Sequence, residues 1–196
     1  MLSRNKYCAL LWSHRCLLQD TDAAALVEFA VALPLLVVLV VGIFDFGGAF
    51  NLKQELSNAA REGARFGAAQ PTNDVTITNL KPASVDAIRF LVDSYLQTAK
   101  INDCGLGTIP EPPQGAPLTW VYNASSGCAA TLTLTISRGI PVQETVAGPV
   151  TMSCTTVQIS YPYQWRFNTV IRLLVPGATY AGVSQIPADA TAVNMD

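Results

Sequence analysis

The chain has 196 residues and a formal net charge of −2, from 12 Lys and Arg against 14 Asp and Glu. That length suits one ordinary domain plus an appendage, and the charge leaves no basic stripe of the kind sequence-independent nucleic-acid binding needs. Apolar residues reach 50% and charged residues only 13%, against about 25% charged in a typical soluble domain, so the composition points to a membrane; a single histidine, His14, nearly removes His-centred catalysis and His-rich metal sites.

The first predicted element is a membrane helix. Phe29 to Phe44 carries no charge, but sixteen residues at about 1.5 Å each make only about 24 Å, short of a hydrocarbon core of about 30 Å. Starting at Ala23 gives AAALVEFAVALPLLVVLVVGIF, about 33 Å of helix, and encloses Glu28. A carboxylate there either lies at the headgroup boundary or needs a partner inside the membrane. Arg4, Lys6 and Arg15 upstream outnumber Lys53 and Arg61 downstream, which favours a cytoplasmic N-terminus. The run is long for a secretory signal and ends in GIFDFGGAF without a small-x-small cleavage site, so the reading is an uncleaved anchor. Pro34 frees the carbonyl of Ala30 inside this helix, and Gly42, Gly47 and Gly48 are further soft points.

The helix is expected to continue beyond the membrane. In NLKQELSNAAREGARFGAA, Leu52, Leu56, Ala59, Gly63 and Phe66 recur at helical spacing, and Ala60, Ala64 and Gly67 widen that face with small side chains that let another backbone approach. Gln70-Pro71 ends it, because the residue before proline is pushed out of the α region. The organisation expected is therefore a leader at 1–23, a long helix at 24–69 with its span at about 23–44, and an exported α+β domain at 70–196.

Within that domain Lys81 to Lys100 reads as a second helix, with Val85, Ile88, Leu91, Val92, Tyr95, Leu96 and Ala99 on one face and Asp86, Arg89 and Asp93 on a solvated one. Residues 102 to 117 are rich in Gly and Pro and read as a long loop. Leu118 to Asn123 and Ala130 to Ser137 alternate as two strands of a hairpin, and Thr155 to Tyr163 resumes the alternation until Pro162 ends it or places it at an edge. Arg166 to Val175 has helical spacing and Ala188 to Met195 suits a last strand. A helix laid on a small antiparallel sheet covers the apolar side of each.

Cys8 and Cys16 lie in the leader, leaving Cys104, Cys128 and Cys154 outside. Antiparallel pairing through Gly148-Pro149 brings Cys154 near Arg138 and away from Cys128, so a disulfide joins Cys104 to Cys128 or to Cys154, with Cys128 preferred. No CxxC, phosphate-binding glycine motif or Ser-His pair is present, and Asp103, Glu111, Glu144 and Asp189 have nothing to orient them. The expectation is a protein that is not an enzyme and uses no metal or cofactor. Trp120, Tyr122, Tyr161, Tyr163 and Trp165 form an aromatic group suited to a core, with an interface as the alternative.

The motifs Val27-Glu28-Phe29-Ala30, Leu33-Pro34, Asp45-Phe46-Gly47 and Asn58-Ala59-Ala60-Arg61-Glu62-Gly63-Ala64-Arg65, in that order over residues 23 to 69, resemble the N-terminal signature of TadE-like proteins, pseudopilins of bacterial tight-adherence pili. Val157 to Tyr163 is similar to the family's late Tyr-Pro-Tyr strand. The resemblance implies a pilin-like fold, in which a long transmembrane helix continues into a periplasmic or extracellular domain and packs on a small antiparallel sheet. It implies an inner-membrane, single-pass subunit that assembles through helix packing, with membrane lipid, other pilus subunits, the assembly platform and a prepilin peptidase as partners and no nucleic acid. It singles out Glu28, Phe29, Pro34, Asp45 and Gly47 for assembly in the membrane, and a peptidase cut between Ala23 and Ala24 that leaves Glu28 as the fifth mature residue. The new amine of Ala24, or a neighbour's, then pairs with the Glu28 carboxylate. The alternative is an exported binding domain that the anchor merely tethers.

Overall fold

The computed structural model describes residues 21–75, 81–112, 114–144, 150–168, 172, 177 and 182–195. Their elements run α1 (Thr21–Ala68), α2 (Ala83–Thr98), a 3-10 turn (Leu106–Thr108), β1 (Thr119–Ala124), β2 (Leu132–Glu144), β3 (Val150–Gln164) and β4 (Val183–Val193). They fall into two compact units: α1 as far as Asp45 together with the described residues within 167–179, and Phe46 to Arg166 together with the described residues from 182 onward. Cys8, Cys16 and His14 lie outside the described residues, as does most of the helix expected from Arg166 to Val175; Phe167, Asn168 and Arg172 are helical.

The second unit holds an antiparallel sheet of order β1-β2-β3-β4. Its register lines up rows that cross all four strands: Trp120, Ile136, Val157 and Ala190, then Tyr122, Leu134, Ile159 and Ala188. Because successive side chains alternate, the rows between them, Val121-Thr135-Gln158-Asp189 and Asn123-Thr133-Ser160-Pro187, form the opposite, largely polar face. Trp120, Tyr122, Leu132, Leu134, Ile136 and Val157 are fully buried. The strands are longer than their alternation suggested. β2 continues past Ser137 because Gly139, at φ +72°, makes a bulge between Arg138 and Ile140 that keeps the pairing with β3. Pro162 does not end β3: pairing with β2 stops at Ser160, and Pro162 stands opposite Gln185 of β4 where β3 pairs on one side only.

Two helices cover the apolar face. From α1 come Leu56, Ala59, Ala60 and Ala64, and from α2 come Val85, Ile88, Val92 and Leu96, all buried. The small residues of α1 set how closely these layers meet. A Cβ on Gly63 would stand 3.1 Å from Val92 Cγ2, and one on Gly67 would stand 2.6 Å from Ile88 Cδ1 and 2.7 Å from Thr155 Cγ2. Gly67 is therefore a point of close approach that no larger residue fills without movement.

Arg138 closes the far end of α1. Its side chain is fully buried, donating from Nη2 to the carbonyls of Gly67 at 2.8 Å and Gln70 at 2.9 Å, from Nη1 to Ser84 Oγ, and from Nε to Thr155 Oγ1 at 3.4 Å. The last carbonyls of a helix have no partner within it, and a guanidinium fork is a strong donor set for them. Asp74 Oδ1, 3.8 Å away, balances the charge.

Candidate assembly and membrane surface

The upstream part of α1 is the surface most clearly exposed. From Ala24 to Phe44 the residues are exposed, with only Val38, Val41 and Gly42 half-buried, and Leu26, Val31 and Leu35 each leave at least 70% of their surface uncovered. Among the described residues this is the one helix long and apolar enough to cross a membrane. Glu28 and Phe29 are exposed on it, Pro34 lies within it, and Glu28 stands four residues, about one turn, after Ala24.

At the end of this stretch Asp45 is 5% exposed, and its Oδ2 accepts the backbone N–H of Phe167 at 2.8 Å. A buried carboxylate two residues before a glycine thus has a local structural partner, satisfying a donor at the start of the chain segment that follows β3. A Cβ on Gly47 would meet nothing within 4 Å. Leu52 is half-buried, while Leu56, Ala59, Ala60, Gly63, Ala64 and Gly67 face α2 and the sheet of their own chain. The stripe of small residues is therefore occupied within the chain.

The aromatic group divides in two. Trp120, Tyr122 and Tyr161 are core residues, whereas Tyr163 and Trp165 are half-buried at the end of β3, with ring centroids 5.0 Å apart. Trp165 also meets Phe46 edge-on at 5.2 Å.

The polar face expected on α2 is not solvated. Arg89 is 4% and Asp93 7% exposed. Arg89 pairs with Asp86 at 2.7 Å, donates to the carbonyls of Leu106 and Gly107 at 2.8 and 2.9 Å, and lies over the Phe90 ring at 4.0 Å. The Gly- and Pro-rich stretch packs against α2, and the arginine holds its 3-10 turn there. Cys104 and Cys128 are joined by a disulfide with Cα atoms 5.4 Å apart, Ser126 N–H donates to the Cys104 carbonyl at 2.8 Å, and Cys154 is a buried free thiol. The loop carrying Cys104 is thus tied at once to α2 and to the β1–β2 turn.

Asp103, in the loop, lies near enough to Asp93 of α2 for each carboxyl to influence the other. Asp93 Oδ2 accepts from Gln97 Nε2 at 3.1 Å, and among the described residues the buried Oδ1 meets no hydrogen-bond donor. Burial, then the neighbouring Asp103 carboxyl, push Asp93 up from 3.8 to about 6. Burial works the same way on Asp103, but the polar groups around it, Asp93, the Gly105 N–H and Gln97, outweigh it and hold that carboxyl low. Burial beside Asp86 also raises Glu111, and burial with a hydrogen bond to Glu55 raises Tyr95. Among the described residues no cluster of three or more His, Cys, Asp or Glu is placed to hold a metal ion.

Signals for Arg138 and Arg89 were present in the spacing. Arg138 shares the parity of Leu132, Leu134 and Ile136, and Arg89 falls four residues after Val85, inside the buried stripe.

The arrangement defines a class: an α+β protein in which a long apolar N-terminal helix, a candidate membrane span, precedes a four-stranded antiparallel sheet. Residues 23–65 match the family model described as TadE-like protein, the family that the motifs of this segment resemble. No curated protein and no solved structure matches the chain.

Proposed function

We propose that the protein is a membrane-anchored pseudopilin or minor subunit in assembly of a tight-adherence pilus, working through helix association and surface contacts without turnover. The observation that carries this reading is the family match over residues 23–65, a segment that holds Glu28 on an exposed apolar helix. The anchor runs from about Ala23 to Phe44, with residues 1–23 as a cytoplasmic leader and 70–196 on the periplasmic or extracellular side of a bacterial inner membrane.

An acid on a lipid-facing helix is costly unless something meets it, and a companion subunit's amine or donor is the partner that an assembly supplies. If a prepilin peptidase cuts between Ala23 and Ala24, the freed amine lies one turn from Glu28 and sets axial register between neighbouring helices. With the small-residue stripe from Ala59 to Gly67 engaged by α2 and the sheet, the intersubunit contacts fall to the helix from Ala24 to Phe44.

A tethered exported binding domain is the second reading, favoured by a shallow depression on the polar sheet face lined by Thr133, Thr135, Gln158, Ser160 and Asp189. Affinity purification of the chain from detergent-solubilised membranes separates the two. Co-purification of pilin and platform proteins is expected, and their absence from a preparation in which the chain is intact rejects the assembly reading.

A further inference from the structure

We infer that Phe46, Phe50 and Trp165 form an aromatic seat by which the exported domain rests on the interface of the bilayer, giving it a lipid contact in addition to its tether. The inference depends on the reading that α1 crosses the membrane.

Phe46 and Phe50 lie one turn apart on α1, and each leaves 67% of its surface uncovered. They are not extensions of the core, whose α1 contribution starts further along with Leu52 and Leu56. Trp165 joins them from the end of β3, edge-on to Phe46 at 5.2 Å, with Tyr163 behind it at 5.0 Å. The indole Nε1 donates to Ser184 Oγ at 2.7 Å. Its polar edge is thereby satisfied within the domain, and the ring is half exposed with no remaining N–H to offer.

Position along the helix selects the occupant. From Ala24 to Phe46 is about 33 Å of helix, close to the thickness of a hydrocarbon core of about 30 Å. The rings therefore fall where the helix leaves the acyl chains, the depth at which aromatic side chains collect in membrane proteins. The local charges fit. Asp45 is buried, Phe46 to Leu52 carries no charge, and Lys53, the next charged residue, donates its Nζ to the Pro187 carbonyl. Arg166, directly after Trp165, is exposed and offers a cation to lipid phosphates.

The test uses the full chain reconstituted in vesicles of phosphatidylcholine and phosphatidylglycerol, with phosphatidylcholine brominated either near the headgroup or near the chain end. The emission of Trp165 is taken as the component lost in Trp165→Phe, which removes the contributions of Trp12 and Trp120. That component should be blue-shifted and quenched more by the shallow bromines than by the deep ones, and the quenching should be lost when Phe46 and Phe50 are both changed to Ser. A chain that resists alkaline extraction from the vesicles yet leaves Trp165 unquenched overturns the seat alone, whether water or a second copy covers the ring. A chain that washes out at alkaline pH overturns the anchor reading and the seat with it.

Discussion

Replacing Arg138 with Met should cost the second unit more than any single apolar deletion on its surface. The guanidinium is fully buried and donates to the Gly67 and Gln70 carbonyls at 2.8 and 2.9 Å, and Asp74 stands 3.8 Å away. Methionine fills much of the volume and supplies no donor, so the Gly67 and Gln70 carbonyls, at the end of α1 and just past it, lose the fork's hydrogen bonds while Asp74 loses its nearby cation. Charge-assisted hydrogen bonds contribute about 1.5–3 kcal/mol each, and removing one member of a buried ionic group costs about 3–5 kcal/mol in all. Taking about 4 kcal/mol and about 2–4 °C per kcal/mol for a domain of this size, the midpoint of unfolding should fall by about 8–16 °C. Thermal melts of the detergent-solubilised chain, followed by near-ultraviolet circular dichroism of the buried Trp120 and Tyr122, read this shift. Arg138→Lys should recover only part of it, since an ammonium cannot span both carbonyls as the fork does. A loss below about 3 °C for Arg138→Met would mean that the helix end finds other donors, and would refute the assignment of Arg138 as its cap.

Gly67→Ala should destabilise by about 1–3 kcal/mol because its Cβ would stand 2.6 Å from Ile88 Cδ1, whereas Gly47→Ala, with open space, should leave stability unchanged or raise it by up to about 1 kcal/mol; denaturant titration of the pair checks the contrast. Changing both Cys104 and Cys128 to Ser opens a loop of sequence separation 24 and should cost about 3 kcal/mol, with protease cleavage between residues 102 and 117 as the sensitive readout. The carboxyl pair gives stability a definite pH sign. Since Asp93 titrates near 6 when folded and at an ordinary 3.8 when unfolded, the fold holds the extra proton between those values, so its contribution is present in acid and lost as pH rises through about 6. The opposite shift of Asp103 reduces the effect, whose ceiling is about 3 kcal/mol. Relative to Asp93→Asn, which mimics the protonated form, the native chain should gain stability between pH 7 and pH 5, and parallel pH profiles for the two would contradict the raised titration of Asp93.

What the sequence made legible was what repeats along it. Val85, Ile88, Val92 and Leu96 spell out α2, and Leu132, Leu134 and Ile136 against Thr131, Thr133 and Thr135 spell out a strand with one wet face, because burial imposes the period of each element. The candidate membrane span was legible for the same reason, as an apolar run with a single acid. The polar anchors were harder. Arg138 and Arg89 sit at positions that the apolar period reserves for the core, but a charge there reads as an exception until the helix-end carbonyls and the 3-10 turn that receive it are placed. Asp93 lies on a helix and Asp103 in a loop whose Gly and Pro content gives no period, so only the tertiary fold makes the two carboxyls neighbours. Likewise Asp45 reads as part of a motif, while its partner, the Phe167 N–H, lies 122 residues away.

The central claim is that Glu28 is kept on the membrane helix for the sake of companion helices. Its most direct test is Glu28→Gln in the native host, scored for surface pili and, in the same cells, for the fraction of the chain retained in alkaline-extracted membranes. The account expects pili to be lost while membrane retention stays at the wild-type level. Normal piliation with the variant fully inserted would contradict it.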